Sequence, residues 1–268
     1  MLSKKIQSEA NFYNSIRPVG NNWEDNLFYA RFIKLYGFAV AVAEKFSSSK
    51  GIALDAATGM GYGAKVLNTY FENVYGIDIC DEALNHAKAK YNGPIFKKGN
   101  VLDLSFDDNS FEAVFSIETL EHLHREDLNG YINELIRVTK SGGIIFISTP
   151  NKPVYSSLHT VKDHHCELDI LELKSLIENS VKADVEYYQF GGNVGKNLRR
   201  LNSIEKHSLV ARKIFGRMFG MPYPRNLTLI KAIEFWDISI IKNGNNSLGY
   251  LNIAVISKLR KDEGNDEK

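Results

Sequence analysis

Ile52-Ala53-Leu54-Asp55-Ala56-Ala57-Thr58-Gly59-Met60-Gly61-Tyr62-Gly63 is an apolar run that ends in an acid and breaks into alternate glycines. Behind it Val66, Leu67, Tyr70 and Phe71 recur on one side of a helical pattern. The order strand, glycine turn, helix lets a backbone close on a nucleotide, because glycine reaches positive φ and carries no Cβ to block a ligand. The spacing is not G-x-G-x-x-G, and Asp55 stands before the glycines. A carboxylate there would repel a pyrophosphate but accept an ammonium group or hydroxyls. The turn therefore points to a neutral or cationic ligand.

Downstream, residues 74–79 read as a second strand with Asp78 near its end. An acid about 20 residues beyond such a turn is placed to grip a ribose diol with two charge-assisted hydrogen bonds. Asp81 is read as the N-cap of a helix over 81–91. Further strands are expected at 94–98, 113–117 and 144–148. A helix bearing Leu128, Tyr131, Ile132, Leu135 and Ile136 precedes the last of these and is expected to end at Gly142-Gly143. A helix over 169–179, a strand over 183–190 and a final strand over 249–258 follow. Upstream, Phe28, Phe32, Leu35, Tyr36 and Ala39 fall at helical spacing. Strands alternating with helices predict an α/β fold. It is a Rossmann-like, seven-stranded, mostly parallel sheet with helices on both faces and a helical insertion before the last strand. Asp55, Asp78, Asn100, Glu118 and Thr149 all fall at the carboxyl ends of strands, where such sheets bind ligands.

With 268 residues, 44% of them hydrophobic, the chain can bury a full core as one domain with an elaboration. The expected organisation is an arm or cap at 1–24, a core at 25–190, an insertion at 191–247, the last core strand at 248–259 and a charged, disordered tail at 260–268. A net charge of +1 gives no global pull toward nucleic acid or membrane. Cys80 and Cys166 are the only cysteines and form no C-x-x-C, which favours a reducing compartment. No apolar run approaches the ~20 residues needed to span a bilayer, so a soluble, cytoplasmic protein is expected.

Asp55 to Gly61 resembles the first motif of class I S-adenosylmethionine-dependent methyltransferases: an acid, small residues, then Gly-x-Gly. Ala57 stands where glycine is commoner, a change that is tolerable if φ there is negative. The resemblance implies that S-adenosylmethionine is the cofactor. It implies a cofactor-binding set of Asp55, Ala57, Gly59, Gly61, Tyr62, Asp78, Ile79, Asn100, Val101, Asp103, Ser116 and Ile117. Within that set Asn100 would accept from the adenine amino group, with Asp103 as the alternative. Gly61-Tyr62-Gly63, Glu118-Thr119-Leu120-Glu121-His122 and Ile147-Ser148-Thr149-Pro150-Asn151-Lys152 are similar to the methyltransferase type 11 branch found with bacterial surface-polysaccharide pathways. That likeness covers about residues 25–190.

Glu118, Glu121 and His122 are spaced i, i+3, i+4 and would share one face if they start a helix. Glu-x-x-Glu-His resembles methyltransferase branches that hold a divalent cation, one of them with a further distal histidine. His164 or His165 could supply it here, and the mixed ligands suit Mg²⁺, Mn²⁺ or Zn²⁺ without deciding among them, Mg²⁺ or Mn²⁺ being the expected ion. Two other roles stay open: His122 as a metal-free general base, and a purely structural turn. Tyr29, Arg31, Asn151, His164, Arg199 and Arg200 are candidate substrate residues. In the 191–247 stretch, Lys196, Arg199, Arg200, Lys206, Arg212, Lys213, Arg217, Arg225 and Lys231 are interleaved with Phe215, Phe219, Tyr223, Phe235 and Trp236. That mixture suits an anionic acceptor such as a phosphorylated or nucleotide-linked sugar, or else a lid or homodimer surface. No RNA-binding motif is present, and stable nucleic-acid binding is not expected. The reading is an O-methyltransferase of a sugar hydroxyl or sugar phosphate. Its rivals are an O-methyltransferase of a small phenolic or quinone-type metabolite and a non-catalytic cofactor-binding partner.

Overall fold

The computed structural model describes residues 23–46, 49–155, 163–190, 240–242 and 251–257. Helix α1 (Trp23–Phe46) precedes β1 (Ile52–Ala56), α2 (Tyr62–Leu67), β2 (Asn73–Asp78), α3 (Asp81–Lys90) and β3 (Ile95–Lys98). Then come β4 (Phe111–Ile117), two 3-10 turns (Leu120–His122 and Arg125–Asp127), α4 (Leu128–Val138), β5 (Thr139–Pro150) and α5 (Lys152–Tyr155). The chain continues through α6 (Ile170–Ser180), β6 (Asp184–Phe190), β7 (Ile240–Lys242) and β8 (Leu251–Ser257).

All the described strands lie in one sheet of order β3-β2-β1-β4-β5-β8-β6-β7. Strands β1 to β5 pair in parallel. β8 enters antiparallel between β5 and β6, and β7 pairs antiparallel with β6. Seven strands are those expected from the sequence. The eighth, β7, is a three-residue edge strand inside the stretch read as an insertion. The remainder of that stretch, the tail and residues 1–22 of the arm lie outside the described residues, whereas Trp23 and Glu24 already belong to α1.

Alternation along the strands explains the two-sided core. Ala113, Phe115 and Ile117 of β4, with Ile144 and Phe146 of β5, pack on one face under α1, α2 and α3 through Leu35, Ala39, Leu67 and Leu84. Val114, Ile145 and Ile147 pack on the other under α4 and α6 through Tyr131, Leu135, Leu173 and Ile177. Helix α6 starts as its sequence dictates, with Asp169 and Glu172 forming a reciprocal capping box.

Two local expectations are corrected. Gly142-Gly143 does not end α4, whose C-cap is Thr139. The glycines lie within β5, where the β4–β5 register shifts between Phe111 and Ala113 and Gly142 has φ 73°. A Cβ on Gly143 would meet Glu112 O at 2.7 Å, so the irregular strand demands glycine there. Asp81 does not cap α3 either: the N-cap is Cys80, whose N–H is taken by Asp78 Oδ1 at 2.9 Å.

β1 lies at the point where strand order reverses, with β2 on one side and β4 on the other. Loops leaving β1 and β4 diverge there and open a crevice at the carboxyl ends. The glycine turn and the Glu118–His122 segment are those two loops.

Candidate active site

The turn after β1 is held open by backbone that a side chain resists. Ala57, Gly59 and Gly61 have φ of 65°, 54° and 82°. Ala57 is thus in the left-handed region, contrary to the expectation of negative φ. The tight exit from β1 forces it, since the next amide, Thr58 N–H, must reach Ile77 O at 2.7 Å. An alanine there is strained by roughly 1 kcal/mol. At Gly61 a Cβ would stand 2.5 Å from Ala87 Cβ and 2.8 Å from Phe96 Cζ.

Two acids brace this turn. Asp78 Oδ2 accepts from Gly59 N–H at 2.8 Å while its Oδ1 caps α3. Asp78 is 2% exposed, and a carboxylate oxygen can accept more than one hydrogen bond. Beside Asp78, Ile79 is 45% exposed, an apolar side chain at a strand tip where a planar ring can lie. Asp55 is completely buried and accepts from Tyr36 Oη (2.8 Å) and Thr58 Oγ1 (2.6 Å). Burial pushes its carboxyl up to about 6, against the pull of those two donors. Asp55 therefore acts from behind the turn and offers the ligand a charge, with no exposed oxygen. Tyr62 begins α2 and meets Phe32 and Tyr36 edge to face.

The other cofactor candidates divide. Asn100 is exposed, and its Oδ1 accepts from Leu102 N–H at 3.0 Å, so the oxygen assigned to adenine already serves a turn. Asp103 is exposed and donates its N–H to Asn100 O, and Val101 is buried. Ser116 and Ile117 do not present side chains to a ligand. Ser116 is fully buried and accepts from Tyr131 Oη at 2.6 Å, on the α4 side. Ile117 packs into the opposite core. Strand alternation sends these neighbours to opposite faces and leaves only their backbone at the crevice.

After β4 the chain makes a 3-10 turn, and the expected shared face is broken. Glu118 has φ 54° and turns back over the strand tips, where Ser148 Oγ donates to its Oε1 at 3.2 Å. Glu121 is 1% exposed and accepts from Thr149 Oγ1 at 3.0 Å. Its carbonyl oxygen takes the N–H groups of His165 (2.8 Å) and Cys166 (3.1 Å). That anchor brings His164 beside His122, with ring centroids 5.1 Å apart. Potential ligand atoms of Glu121, His122 and His164 all lie within 4.8 Å of one another. Of the five residues considered as metal ligands, Glu118 and His165 are left out. His165 instead stacks on His124 at 4.5 Å.

Both rings of the cluster are oriented from behind. His122 Nδ1 lies 3.0 Å from Asp163 O, a pure acceptor, so Nδ1 carries the hydrogen and the lone pair of the neutral ring is on Nε2. His164 Nδ1 meets Glu167 Oε1 at 2.9 Å. Desolvation holds His164 below the usual imidazole range, despite Glu167.

Of the substrate candidates, Asn151 is corrected. It is fully buried and its Oδ1 accepts from Asn252 Nδ2 at 3.2 Å, in a ladder that Gln189 extends. Asn252 Nδ2 also reaches Leu168 O at 3.3 Å, so the ladder ties down the far end of the loop that carries His164. Tyr29 and Arg31 lie on α1, their side chains outside the described set; Arg199 and Arg200 lie wholly outside it. Tyr36, Thr58 and Asn252 were missed as site residues. Tyr36 falls on the apolar stripe of α1, and nothing in helical spacing separates a core tyrosine from one that donates to Asp55.

Residues 54–147 match the family model described as "Methyltransferase domain". The span runs from β1 to β5 and includes both loops at the switch point. The chain is an enzyme of the S-adenosylmethionine-dependent methyltransferase type. It is 27% identical over 211 residues to an S-adenosylmethionine-dependent methyltransferase of Mycobacterium tuberculosis, covering 75% of this chain and 76% of that one. It is 26% identical to the phosphoethanolamine N-methyltransferase of Plasmodium falciparum, over 47% of this chain and 54% of that one. A Haloferax volcanii methyltransferase solved with a methyltransferase activator superposes with a TM-score of 0.61 at 15% identity, covering 90% of this chain and 95% of that one. An enzyme of this kind sets aside the reading of a non-catalytic partner. No described helix is long and apolar enough to cross a membrane.

Proposed function

We propose that this methyltransferase transfers its methyl group to a hydroxyl, the acceptor being a sugar or sugar phosphate of bacterial surface-glycan synthesis. The Glu121–His122–His164 cluster carries this reading. An alcohol must lose its proton as it attacks carbon, and this cluster gathers imidazole nitrogens from the loop after β4 and from the loop that carries His164. The bound cofactor supplies a methyl already activated on a sulfonium, so the protein's task is alignment and removal of one proton. Asp78 holds the ribose diol, Ile79 packs on adenine, and Asn100, with Asp103 as the alternative, meets the adenine amino group while a neighbouring backbone N–H meets a ring nitrogen. The basic and aromatic residues of the 191–247 stretch support an anionic acceptor, with a lid or homodimer surface as the role of that stretch.

The cluster also suits a divalent cation. Two imidazoles and one carboxylate, with both rings oriented through Nδ1, form a donor set that fits Mn²⁺ or Zn²⁺ better than Mg²⁺, which prefers oxygen. Glu121, His122 and His164 would hold such an ion, which would lower the pKa of a bound hydroxyl.

The test is transfer of labelled methyl from S-adenosylmethionine to a panel of nucleotide sugars, sugar phosphates and phenols. Ether formation on a sugar is expected, and transfer to phenols alone would refute the acceptor class. For the ion, chelation of the wild type is expected to cost at least tenfold in rate, restored by Mn²⁺ or Zn²⁺, and Glu121→Ala is expected to lose that restoration. Indifference of both proteins to chelator would eliminate the metal.

A further inference from the structure

The Asp55 carboxylate is enclosed, yet three parts of the chain converge on it. Tyr36 donates to Oδ1 from α1 at 2.8 Å, and Thr58 donates to Oδ2 from the turn itself at 2.6 Å. The Ala64 N–H of α2 adds support. Gly63 makes room for this approach: a Cβ there would lie 2.0 Å from Tyr36 Cζ and 2.2 Å from Tyr36 Oη. Helix α1 thus reaches the glycine turn through one tyrosine, for which a glycine of α2 leaves a gap. Other acids gather round the same turn, Asp78 from the tip of β2 and Glu118 from the tip of β4, the latter close enough to act on Tyr36.

An enclosed carboxylate without a metal or cationic partner costs stability, and an asparagine could occupy the position more cheaply. Its charge therefore calls for a use. S-adenosylmethionine has a net charge of +1, which is its sulfonium, because the ammonium and carboxylate of its amino-acid end cancel, whereas the thioether product S-adenosylhomocysteine is net neutral. A buried negative charge beside the binding turn acts on that difference with little screening. We propose that Tyr36 is a positioning residue that keeps Asp55 charged beneath the glycine turn, and that this charge makes the pocket favour the sulfonium cofactor over the neutral product. The preference lets spent product leave while cofactor is retained.

The groups facing Asp55 and its donor are Tyr36 of α1, Tyr62 of α2, Asp78 of β2 and Glu118 after β4. Tyr36 itself stays protonated, because burial and Asp55 push its hydroxyl far up. Asp55 ionises at about 6. Wild-type affinity for S-adenosylmethionine should therefore fall as pH drops through about 6, while affinity for the product changes little.

Calorimetry with both molecules from pH 5 to pH 9 on Tyr36→Phe tests this. The variant retains the ring and deletes only the donor to Asp55, which should move the midpoint upward by roughly one to two pH units. At pH 7 S-adenosylmethionine is expected to bind about twofold to tenfold more weakly, depending on the size of that shift, product binding should stay unchanged, and the loss should vanish at pH 9. Equal weakening of both ligands with an unmoved midpoint would mean a packing role only and overturn the proposal, as would no change in either. Asp55→Asn gives a second check: it should abolish the pH dependence and bring the two affinities together. If it retains the wild-type preference, the proposal fails.

Discussion

An alanine at position 122 is expected to lower kcat by about 10²–10⁴ while cofactor affinity stays within about twofold of wild type. The physical ground is the placement of His122 away from the cofactor turn, in the loop after β4, with Nδ1 tied to Asp163 O at 3.0 Å. That bond leaves Nε2 as the basic nitrogen, so deletion removes the group that takes the acceptor's proton or holds an ion beside it. Glutamine at the same position should not rescue, because an amide has no basic nitrogen. Steady-state rates with a responsive acceptor, paired with calorimetry for S-adenosylmethionine, make the measurement. A fall in cofactor affinity equal to the fall in rate would place His122 in the cofactor site and contradict the assignment.

Asp78→Ala is expected to weaken S-adenosylmethionine and S-adenosylhomocysteine alike, by about 100-fold. Two charge-assisted bonds to a ribose diol are lost, at roughly 1.5 kcal/mol or more each. The same change strips Gly59 N–H and Cys80 N–H of their acceptor, so the apo protein should also melt earlier. Here the two ligands move together, because both carry the same ribose. At Tyr36 they should part, because only one carries the sulfonium. Measuring both ligands on both variants separates loss of grip from loss of charge. If Asp78→Ala binds either ligand as wild type does, the ribose assignment is wrong.

Local patterns made the core of the fold legible. Apolar runs such as Ile144–Ile147 and the helical stripes of α1 and α4 placed most elements within a few residues of their observed bounds, since burial on a strand or helix repeats with a short period. The acid at the tip of β1, the glycines after it and the acid at the tip of β2 located the cofactor turn for the same reason. Local reading failed where a contact came from far along the chain. Glu118 was grouped with Glu121 and His122 on the assumption of a helix, but its φ of 54° turns it toward Ser148, thirty residues on. Asn151, next to the expected substrate side, is sealed by Asn252 from the last strand.

By itself, then, the sequence determined an α/β chain with a nucleoside-type turn and acids at its strand tips, because period and turn chemistry are properties of neighbouring residues. Only the tertiary structure decided which of those acids are spent on the protein's own amides and hydroxyls and which histidine joins Glu121 and His122. It alone brought Tyr36 to Asp55. Those outcomes depend on strand order and loop closure, which set distances between residues that no local pattern relates.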